Sequence, residues 1–192
     1  MENFLYEERL KSIRKIMDLN HLDGILFSTL ENIRYLCGFT GSDGAFVITQ
    51  MESFFLTDSR YWIQSEEEVT ESQIIHYKKK LEGISSLLLA LELRKIGFES
   101  ASFPFSAHQF LTERLPPEGK LVPLEDEIKN IRALKDNQEL ALLRTSIEIG
   151  EEKVLWERMN MKMPDLPTQE VEGRKMLAPA EKFATKSNIE NP

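Results

Sequence analysis

Residues 32–61 read NIRYLCGFTGSDGAFVITQMESFFLTDSRY, and the rest of the chain is organised around this stretch. Three glycines punctuate its first half at a spacing of three: Gly38, Gly41 and Gly44. Glycine adopts positive φ and lets two backbone segments approach each other without a Cβ clash. We therefore expect all three glycines to serve a structural turn, which leads from a short helix beginning near Asn32 into a strand.

The second half of the stretch predicts a β-hairpin followed by a helix. Residues 45–48 and 54–56 are apolar runs with strand character, and residues 50–53 form the short connection between them. Asp58 or Ser59 then stands where a helix N-cap is expected, because the short side-chain oxygen of either residue can accept a hydrogen bond from the backbone of the next turn. We therefore assign Asp58 to the structural turn residues, together with the three glycines.

Two blocks of this stretch carry a resemblance to a known family. Residues 32–42 (NIRYLCGFTGS) and residues 56–61 (LTDSRY) resemble, in order and in spacing, the signature of the amino-terminal domain of Xaa-Pro aminopeptidases and prolidases. This is the creatinase-like domain of the pita-bread metallopeptidases, and the resemblance extends from about residue 8 to about residue 153. It implies an α/β fold in which helices flank a six-stranded mixed sheet on both sides, similar in outline to ribonuclease H.

Composition and charge narrow the class of protein. The chain has 192 residues, of which 41% are hydrophobic and 29% charged, an ordinary globular composition. A net charge of −8 argues against a nucleic-acid partner and against an anionic membrane surface. The single cysteine, Cys37, cannot form an intrachain disulfide, and the amino terminus does not read as a signal peptide. A cytoplasmic location is therefore expected.

Hydrophobic periodicity predicts an alternation of helices and strands, which is typical of an α/β domain. Helices are expected at residues 7–22, 60–69, 80–95, 107–115 and 135–159. Further strands are expected at residues 25–27, 74–77, 96–98 and 121–124. Ser106 is a predicted N-cap, and residues 126–132 read as a linker. Pro123 indicates that the last strand lies at a sheet edge, because proline cannot donate to a neighbouring strand.

We divide the chain into three parts. Residues 1–130 form the creatinase-like domain, residues 131–160 a linker and the first helix of a truncated peptidase domain, and residues 161–192 a poorly ordered tail. Within the tail, residues 168–171 faintly resemble the start of the second helix of a pita-bread catalytic domain. The helix predicted at residues 135–159 carries an apolar stripe spaced for burial: Leu140, Leu143, Ile147 and Val154.

The resemblance implies a metallopeptidase parent whose metal ligands this chain lacks. Enzymes of this family hold two divalent metals, such as manganese, with two Asp, one His and two Glu of the carboxy-terminal domain. Here no histidine follows His108, and Asp165 is the only aspartate after Asp136. Two-metal hydrolysis requires bridging carboxylates around both ions. We therefore expect no catalytic residue, no metal ligand and no cofactor in this chain, and no activity from the chain alone.

Other chemical sites find little support in the sequence. His21, His76 and His108 match no metal-ligand spacing, so surface or partly buried histidines are the simpler interpretation. Cys37 lies in a segment that should pack, which favours a buried, inert thiol over a nucleophile. The glycine segment spells G-x-x-G-x-x-G and lacks the lysine of a phosphate-binding loop, so a tight helix-to-strand turn is favoured over nucleotide binding.

Four residues around the hairpin are candidates for contact with a substrate cleft: Arg34, Arg60, Tyr61 and Trp62. In dimeric relatives the amino-terminal domain of one subunit leans toward the catalytic cleft of another. A tryptophan would give a peptide an apolar plate, and arginines would give its carboxylate hydrogen-bond donors. The alternative, which the sequence leaves open, is that Tyr61 and Trp62 are core residues of their helix.

The sequence thus predicts a non-catalytic amino-terminal domain of an Xaa-Pro aminopeptidase or dipeptidase, which serves oligomerisation and restricts the cleft to short peptides. The expected partners are a second copy or a full-length peptidase subunit and, through the parent enzyme, short proline-containing peptides. One alternative is a stand-alone binding or regulatory module that pairs with a full-length peptidase. A second is a metal-dependent nuclease, suggested by the ribonuclease-H-like outline and disfavoured by the net charge of −8.

Overall fold

The computed structural model describes residues 2–133, 135, 137–158, 168–171 and 174–177. The chain divides into two compact units, Met1–Ala133 and Leu134–Pro192. The helices are α1 (Glu2–Asn20), α2 (Leu30–Cys37), α3 (Trp62–Glu68), α4 (Lys80–Ala90), α5 (Phe105–Thr112), α6 (Asp126–Ile131) and α7 (Asn137–Arg158), with a short 3₁₀ helix at Ser59–Tyr61. The strands are β1 (Gly24–Phe27), β2 (Ala45–Thr49), β3 (Ser53–Thr57), β4 (Gln73–His76), β5 (Lys95–Glu99), β6 (Lys120–Leu124), β7 (Thr168–Val171) and β8 (Arg174–Leu177).

In the first unit, six strands form one sheet in the order β4-β3-β2-β1-β5-β6. β2 pairs antiparallel with both β1 and β3, whereas the pairs β3–β4, β1–β5 and β5–β6 are parallel. β2 therefore runs opposite to the other five strands. Their carboxyl ends and the amino end of β2 meet at one edge of the sheet, which we call the carboxyl edge. This mixed sheet flanked by helices confirms the expected fold class.

Each face of the sheet carries its own apolar core, because alternate residues of a strand point to opposite sides. On one face, Ile25 and Phe27 of β1 pack with apolar residues of α1 and α2. On the other face, Leu26 of β1 packs with residues of α4 and α5. The central strands are thus buried on both sides, which explains why they read as continuous apolar runs rather than as alternating patterns.

The structure corrects two local predictions and confirms a third. Ser106 is not an N-cap: α5 begins at Phe105, and its N-cap is Pro104, whose extended backbone directs the chain into the helix. Residues 126–132 are not a plain linker, since Asp126–Ile131 forms α6 and Ile131 packs against the core beneath α1 and α2. Pro123 does lie at a sheet edge, because β6 is an outermost strand.

The second unit contains α7 and a hairpin of β7 and β8. The apolar stripe of α7 is not buried as its spacing suggests: the exposed fractions are 40% for Leu140, 46% for Leu143 and 59% for Ile147. A helical period identifies a face of the helix and not the partner that covers it. Residues 168–171 form a strand rather than the start of a helix.

Some predictions fall on residues that the structure does not describe. The burial predicted for Val154 concerns a side chain outside the described residues. The poor order predicted for residues 161–192 also concerns mostly residues outside the described ones. None of the described helices combines the length and the apolar character needed to cross a bilayer.

Candidate functional site

The carboxyl edge of the sheet gathers the segments that the sequence analysis singled out. The glycine loop, residues 38–44, leads from α2 into the amino end of β2, and residues 58–62 follow the carboxyl end of β3. Tyr77 follows the carboxyl end of β4, the next strand in the sheet. In open α/β sheets, ligands bind outside the carboxyl ends of the strands. This edge is therefore the candidate site.

Asp58 caps the 3₁₀ helix and holds Arg60. Its Oδ1 accepts a hydrogen bond from the backbone N–H of Arg60 at 2.9 Å, which confirms the predicted cap. The Arg60 guanidinium also donates to the carboxylate through Nε at 3.0 Å and Nη2 at 2.7 Å. These hydrogen bonds lower the pKa of Asp58. Because the Arg60 side chain is 66% exposed, the pair adds little to stability and mainly fixes where the guanidinium lies.

Asp43, just before β2, is the centre of a second polar cluster. Its carboxylate accepts hydrogen bonds from the Tyr77 hydroxyl at 2.9 Å and from Lys80 Nζ at 2.7 Å, and Arg60 Nη2 lies 3.6 Å away. Burial alone would raise the pKa of Asp43, but the hydrogen bonds from Lys80 and Tyr77 outweigh it and lower that pKa. Burial, together with the hydrogen bond to Asp43, raises the pKa of Tyr77. The cluster thus holds one ionised carboxylate between a neutral phenol and two cations.

The glycine loop is structural, but its three glycines act for different reasons. Gly38 adopts a φ of 85° at the end of α2, and its N–H donates to the Arg34 carbonyl at 3.0 Å. A Cβ on Gly44 would lie 2.7 Å from Cε2 of Phe55. A Cβ on Gly41 would overlap the ring of Phe39. Among these three glycines only Gly38 has positive φ, so space rather than backbone freedom requires the other two.

The loop is tied to the helix that follows β3. Glu68 of α3 accepts hydrogen bonds from the backbone N–H of Thr40 at 2.7 Å and from its hydroxyl at 2.8 Å. Gln64 donates to the Thr40 hydroxyl at 3.1 Å, one helical turn earlier. The glycine loop and α3 therefore form one connected segment of the carboxyl edge.

The four predicted contact residues separate in the structure. Tyr61 is half-buried, packs edge-on against Phe39 and shares a hydrogen bond with the Ser42 hydroxyl. Trp62 is 50% exposed, and its ring stacks on His76 with a centroid distance of 4.3 Å. The core alternative therefore describes Tyr61 better than Trp62.

Arg60 and Trp62 are both exposed and lie two residues apart in the segment that follows β3, and no described contact joins their side chains. Trp62 is further held by its indole N–H, which donates to Glu66 at 2.7 Å. Arg34 is exposed on α2, and no described contact joins it to the other three. Arg60 and Trp62 are thus exposed residues of one segment, Arg34 lies on another element, and contact of any of them with a substrate cleft stays a prediction.

Sequence reasoning missed Asp43, Tyr77, Lys80 and His76. Residues 78–80 read as a solvated run of lysines, and Asp43 had no obvious partner nearby in the chain. The signal lies in the topology: β2 begins at the edge where β4 ends, so the residue before β2 meets those after β4. Only the strand order makes that signal visible.

A buried carboxylate elsewhere at this edge is structural. Glu99, at the end of β5, is 4% exposed and accepts hydrogen bonds from the backbone N–H groups of Ser28 at 2.6 Å and Thr29 at 2.7 Å. The Asn32 side chain donates to its other oxygen at 2.5 Å. Glu99 therefore joins β5 to the start of α2. It is fully engaged in this role.

Two further predictions concern Cys37 and the metal ligands. Cys37 is buried, as predicted, and burial raises the pKa of its thiol to about 12, so that little of the nucleophilic thiolate forms at neutral pH. Within the part of the chain that the structure describes, no group of three or more His, Cys, Asp or Glu side chains could hold a metal ion.

Comparison with known proteins places this geometry in a family. The model of the Creatinase/Prolidase N-terminal domain matches residues 9–134. The chain belongs to this family. The matched residues cover the whole six-stranded sheet and the glycine loop, which confirms the resemblance carried by the two sequence blocks.

The similar proteins are peptidases, and their identity to this chain is low. The chain is 26% identical over 145 residues to an uncharacterised peptidase of Bacillus subtilis, YqhT, with 75% of this chain and 41% of the relative covered. It is 24% identical over 157 residues to the Xaa-Pro dipeptidase of Pyrococcus horikoshii, with 79% of this chain and 42% of the relative covered. The chain therefore spans about two-fifths of the length of these curated relatives.

Solved structures include both whole enzymes and chains of this domain's size. An Xaa-Pro aminopeptidase chain from Streptococcus thermophilus aligns with a TM-score of 0.60 at 28% identity, covering 66% of this chain and 98% of that chain. The X-Pro aminopeptidase of Thermotoga maritima aligns with a TM-score of 0.70 at 21% identity, covering 82% of this chain and 45% of that chain. The N-terminal domain of the peptidase PepQ from Mycobacterium tuberculosis aligns with a TM-score of 0.61, covering 65% of this chain and 98% of that chain.

Proposed function

We propose that this creatinase-like domain is a non-catalytic part of an Xaa-Pro aminopeptidase or dipeptidase, which supports oligomerisation and restricts the substrate cleft to short peptides. The parent activity is the metal-dependent cleavage of the bond before proline. Membership of the family and the Xaa-Pro peptidase activity for which relatives are named support this proposal.

The exposed pair of Arg60 and Trp62 is the observation that carries the proposal. Trp62 is stacked on His76 and hydrogen-bonded to Glu66, so its ring is held in place while half of its surface remains open. A fixed aromatic ring suits the apolar ring of a proline residue. Arg60 is 66% exposed, and a guanidinium has five N–H donors, so donors remain for a peptide carboxylate beside those that bind Asp58.

The residues of this chain do not fit the two-metal site of the parent activity. The chain contains three histidines, and none of the described side chains forms a cluster that could hold a metal. The chemical step would therefore use groups outside these 192 residues. What the domain contributes is a wall of the cleft that contacts the end of a short peptide.

Peptide binding to the isolated chain tests this role. The nitrogen-15-labelled protein is titrated with Ala-Pro, and the indole N–H signal of Trp62 and the Nε–H signal of Arg60 are followed by NMR. We expect both signals to shift with a dissociation constant on the order of 1–10 mM, as suits one wall of a cleft. The indole signal of Trp156 serves as an internal reference.

Matched variants and peptides make the test specific. Trp62→Ala should abolish the shift at Arg60, whereas Leu89→Ala, which removes another half-exposed apolar side chain (47% exposed), should leave the shift unchanged. Ala-Ala should bind at least several-fold more weakly than Ala-Pro. Equal shifts with both peptides, or no shift at Trp62 with about 50 mM Ala-Pro, would contradict a proline-specific wall.

A second candidate is a stand-alone module that pairs with a full-length peptidase. This candidate requires the domain to fold without a catalytic domain, and the solved N-terminal domain of PepQ, of which 98% aligns with this chain, has such a fold by itself. Adding the chain to a full-length Xaa-Pro aminopeptidase should then change the ratio of rates on short and long Xaa-Pro peptides. An unchanged ratio at saturating chain concentrations would remove this candidate.

A further inference from the structure

β4 offers an open backbone edge to a further strand. It is an outermost strand of the sheet, paired in parallel with β3 along one side. The N–H of Tyr77, directly after β4, donates to the Thr57 carbonyl of β3 at 2.9 Å. Since alternate residues of a strand direct their backbone groups to opposite sides, Ile75 shares that direction. Ile74 and His76 therefore present their N–H and C=O groups to the open edge.

The two outermost strands differ in how they are protected. β6 contains Pro123, which lacks the N–H that a neighbouring strand would need. β4 reads Gln73-Ile74-Ile75-His76, without proline or charge inside the strand. Soluble proteins normally block a bare edge of this kind, so an unblocked one indicates an interaction surface.

Both faces beside the β4 edge carry apolar surface for the side chains of an added strand. On the α4 side, an open groove of about 430 Å³ is lined by Ile75, Tyr77, Gly83, Leu87 and Ala90, among others. His76 points to the opposite face, where it stacks on Trp62. The next residue of α3, Ile63, is 72% exposed. An added strand would thus find an apolar neighbour above and below.

The charges at the two ends of β4 make this edge complementary to an antiparallel copy of itself. Glu71 lies just before the strand, and Lys78 and Lys79 lie just after it, all three exposed. A parallel copy in register would place lysine beside lysine, which is unfavourable. An antiparallel copy places the lysine end of one strand against the glutamate end of the other.

We propose that the β4 edge pairs antiparallel with β4 of a second copy of this chain, about a two-fold axis through Ile75. Residues whose numbers sum to 150 then lie opposite each other. Ile74 exchanges backbone hydrogen bonds with His76 of the second copy, and Glu71 lies opposite Lys79 of the second copy. The two six-stranded sheets join into one. This pairing gives a surface to the oligomerisation in the proposed function, and it does not depend on the proposed role of Arg60 and Trp62 in peptide binding.

The contact is small, so the dimer is weak. A four-residue strand and its flanks bury far less than the ~1,600 Å² of a standard interface. We expect a dissociation constant on the order of 10–1,000 μM. Sedimentation equilibrium of the full chain from about 5 μM to about 1 mM covers this range.

Charge exchange across the two-fold axis tests the register. Lys79→Glu and Glu71→Lys each place like charges opposite each other twice, and each should weaken dimerisation by about ten-fold or more. The double variant K79E/E71K restores both pairs, and its dissociation constant should return to within about three-fold of the wild-type value. Lys120→Glu on β6 makes the same change in net charge at the other sheet edge and should have no effect.

Two further measurements separate the β4 edge from other surfaces. Ile74→Pro removes an N–H that points away from β3, so the chain should fold but no longer dimerise. Leu143→Lys, on the exposed stripe of α7, should leave the β4 pairing intact. Amide exchange at Ile74 and His76 should slow as the protein concentration rises through the dissociation constant.

Three outcomes would overturn the proposal. One is a chain that stays monomeric at 1 mM. Another is a dimer that neither Ile74→Pro nor the single charge variants weaken, which would assign association to another surface. The third is protection of the Ile74 and His76 amides that is equal at all concentrations, which would mean that the chain covers this edge with its own residues.

Discussion

At the scale of single residues, the glycine loop shows how one residue type serves two needs. Gly38 is required for its φ of 85°, whereas Gly41 is required because the Phe39 ring and Cδ1 of Tyr61, 2.9 Å from its built Cβ, fill the space beside it. Of the two reasons that the sequence offers for these glycines, positive φ applies to Gly38 and not to Gly41 or Gly44. Crowding by neighbours distant in the chain is not visible in the spacing of the glycines.

Gly41→Val should lower the free energy of unfolding by about 1–3 kcal/mol, because the branched side chain must displace two aromatic rings. Urea unfolding at pH 7, followed by circular dichroism, measures the change. Gly150→Val is the matched control, since no described heavy atom beyond the neighbouring residues and backbone of its own helix lies within 4 Å of a Cβ built there. The control should change the free energy of unfolding by less than about 0.5 kcal/mol. Equal effects of the two substitutions would contradict the crowding argument.

Asp43 should make stability depend on pH in a defined direction. Its pKa is lowered in the folded state, so its contribution is present above the unfolded pKa of about 3.9 and is lost as the pH falls through the folded value. Asp43→Asn should cost about 1–3 kcal/mol at pH 7, since Tyr77 and Lys80 lose a charged acceptor. Below pH 4 the difference in the free energy of unfolding between Asp43→Asn and wild type should become smaller.

Urea midpoints of wild type and Asp43→Asn between pH 2.5 and pH 8 test this expectation. Asp58→Asn is the comparison, because Asp58 carries a lowered pKa but pairs with the exposed Arg60. Its effect at pH 7 should be the smaller of the two. If the stability difference between wild type and Asp43→Asn grew toward low pH, the lowered pKa of Asp43 in the folded state would be refuted.

At the scale of elements, Glu99 decides how α2 joins the sheet. Its carboxylate satisfies two backbone N–H groups at the start of α2, which itself forms no side-chain cap at Thr29. Glu99→Gln should lower the free energy of unfolding by about 1–3 kcal/mol, because an amide gives those N–H groups at best one neutral acceptor. In this variant the amide hydrogens in the first turn of α2 should also exchange faster with solvent than in wild type.

Glu118→Gln is the control for Glu99. Glu118 pairs with Arg94 at 2.9 Å, but the two side chains are 77% and 67% exposed. Such a surface ion pair contributes at most about 1 kcal/mol. If Glu118→Gln lowered the free energy of unfolding as much as Glu99→Gln, the burial of Glu99 would not explain its contribution to stability.

Elements that local sequence patterns determine were predicted well. Elements that depend on packing against distant residues were predicted poorly. The hairpin of β2 and β3 and the cap at Asp58 follow from short-range patterns, and the structure contains both. α6 was missed because six residues give too short a period. It is held by packing of Ile131 against a core made by distant residues.

At the scale of the whole molecule, the chain alone should not hydrolyse Xaa-Pro peptides. Metal-dependent hydrolysis by two ions needs histidine and carboxylate ligands around both, and the residues after Asp136 contain no histidine and a single aspartate, Asp165. Incubation of the purified chain with Ala-Pro and with a longer Xaa-Pro peptide, in manganese or cobalt, tests this. Metal-dependent turnover that remains with the chain through successive purification steps would contradict it.

The sequence by itself determined the fold class and the family, because both rest on local signals. Glycine spacing, two in-register blocks and apolar periods are properties of neighbouring residues, and the match to residues 9–134 bears them out. The same signals predicted that Cys37 is buried and that Pro123 lies at an edge.

Only the tertiary structure decided which residues form the candidate site and which surfaces are open. Asp43 meets Tyr77 across 34 positions and Lys80 across 37, because the sheet order brings the start of β2 to the end of β4. The same order makes β4, with Ile74 and His76, an outermost strand of the described sheet. Strand order results from the burial of apolar faces throughout the domain. No short stretch of the sequence contains that information.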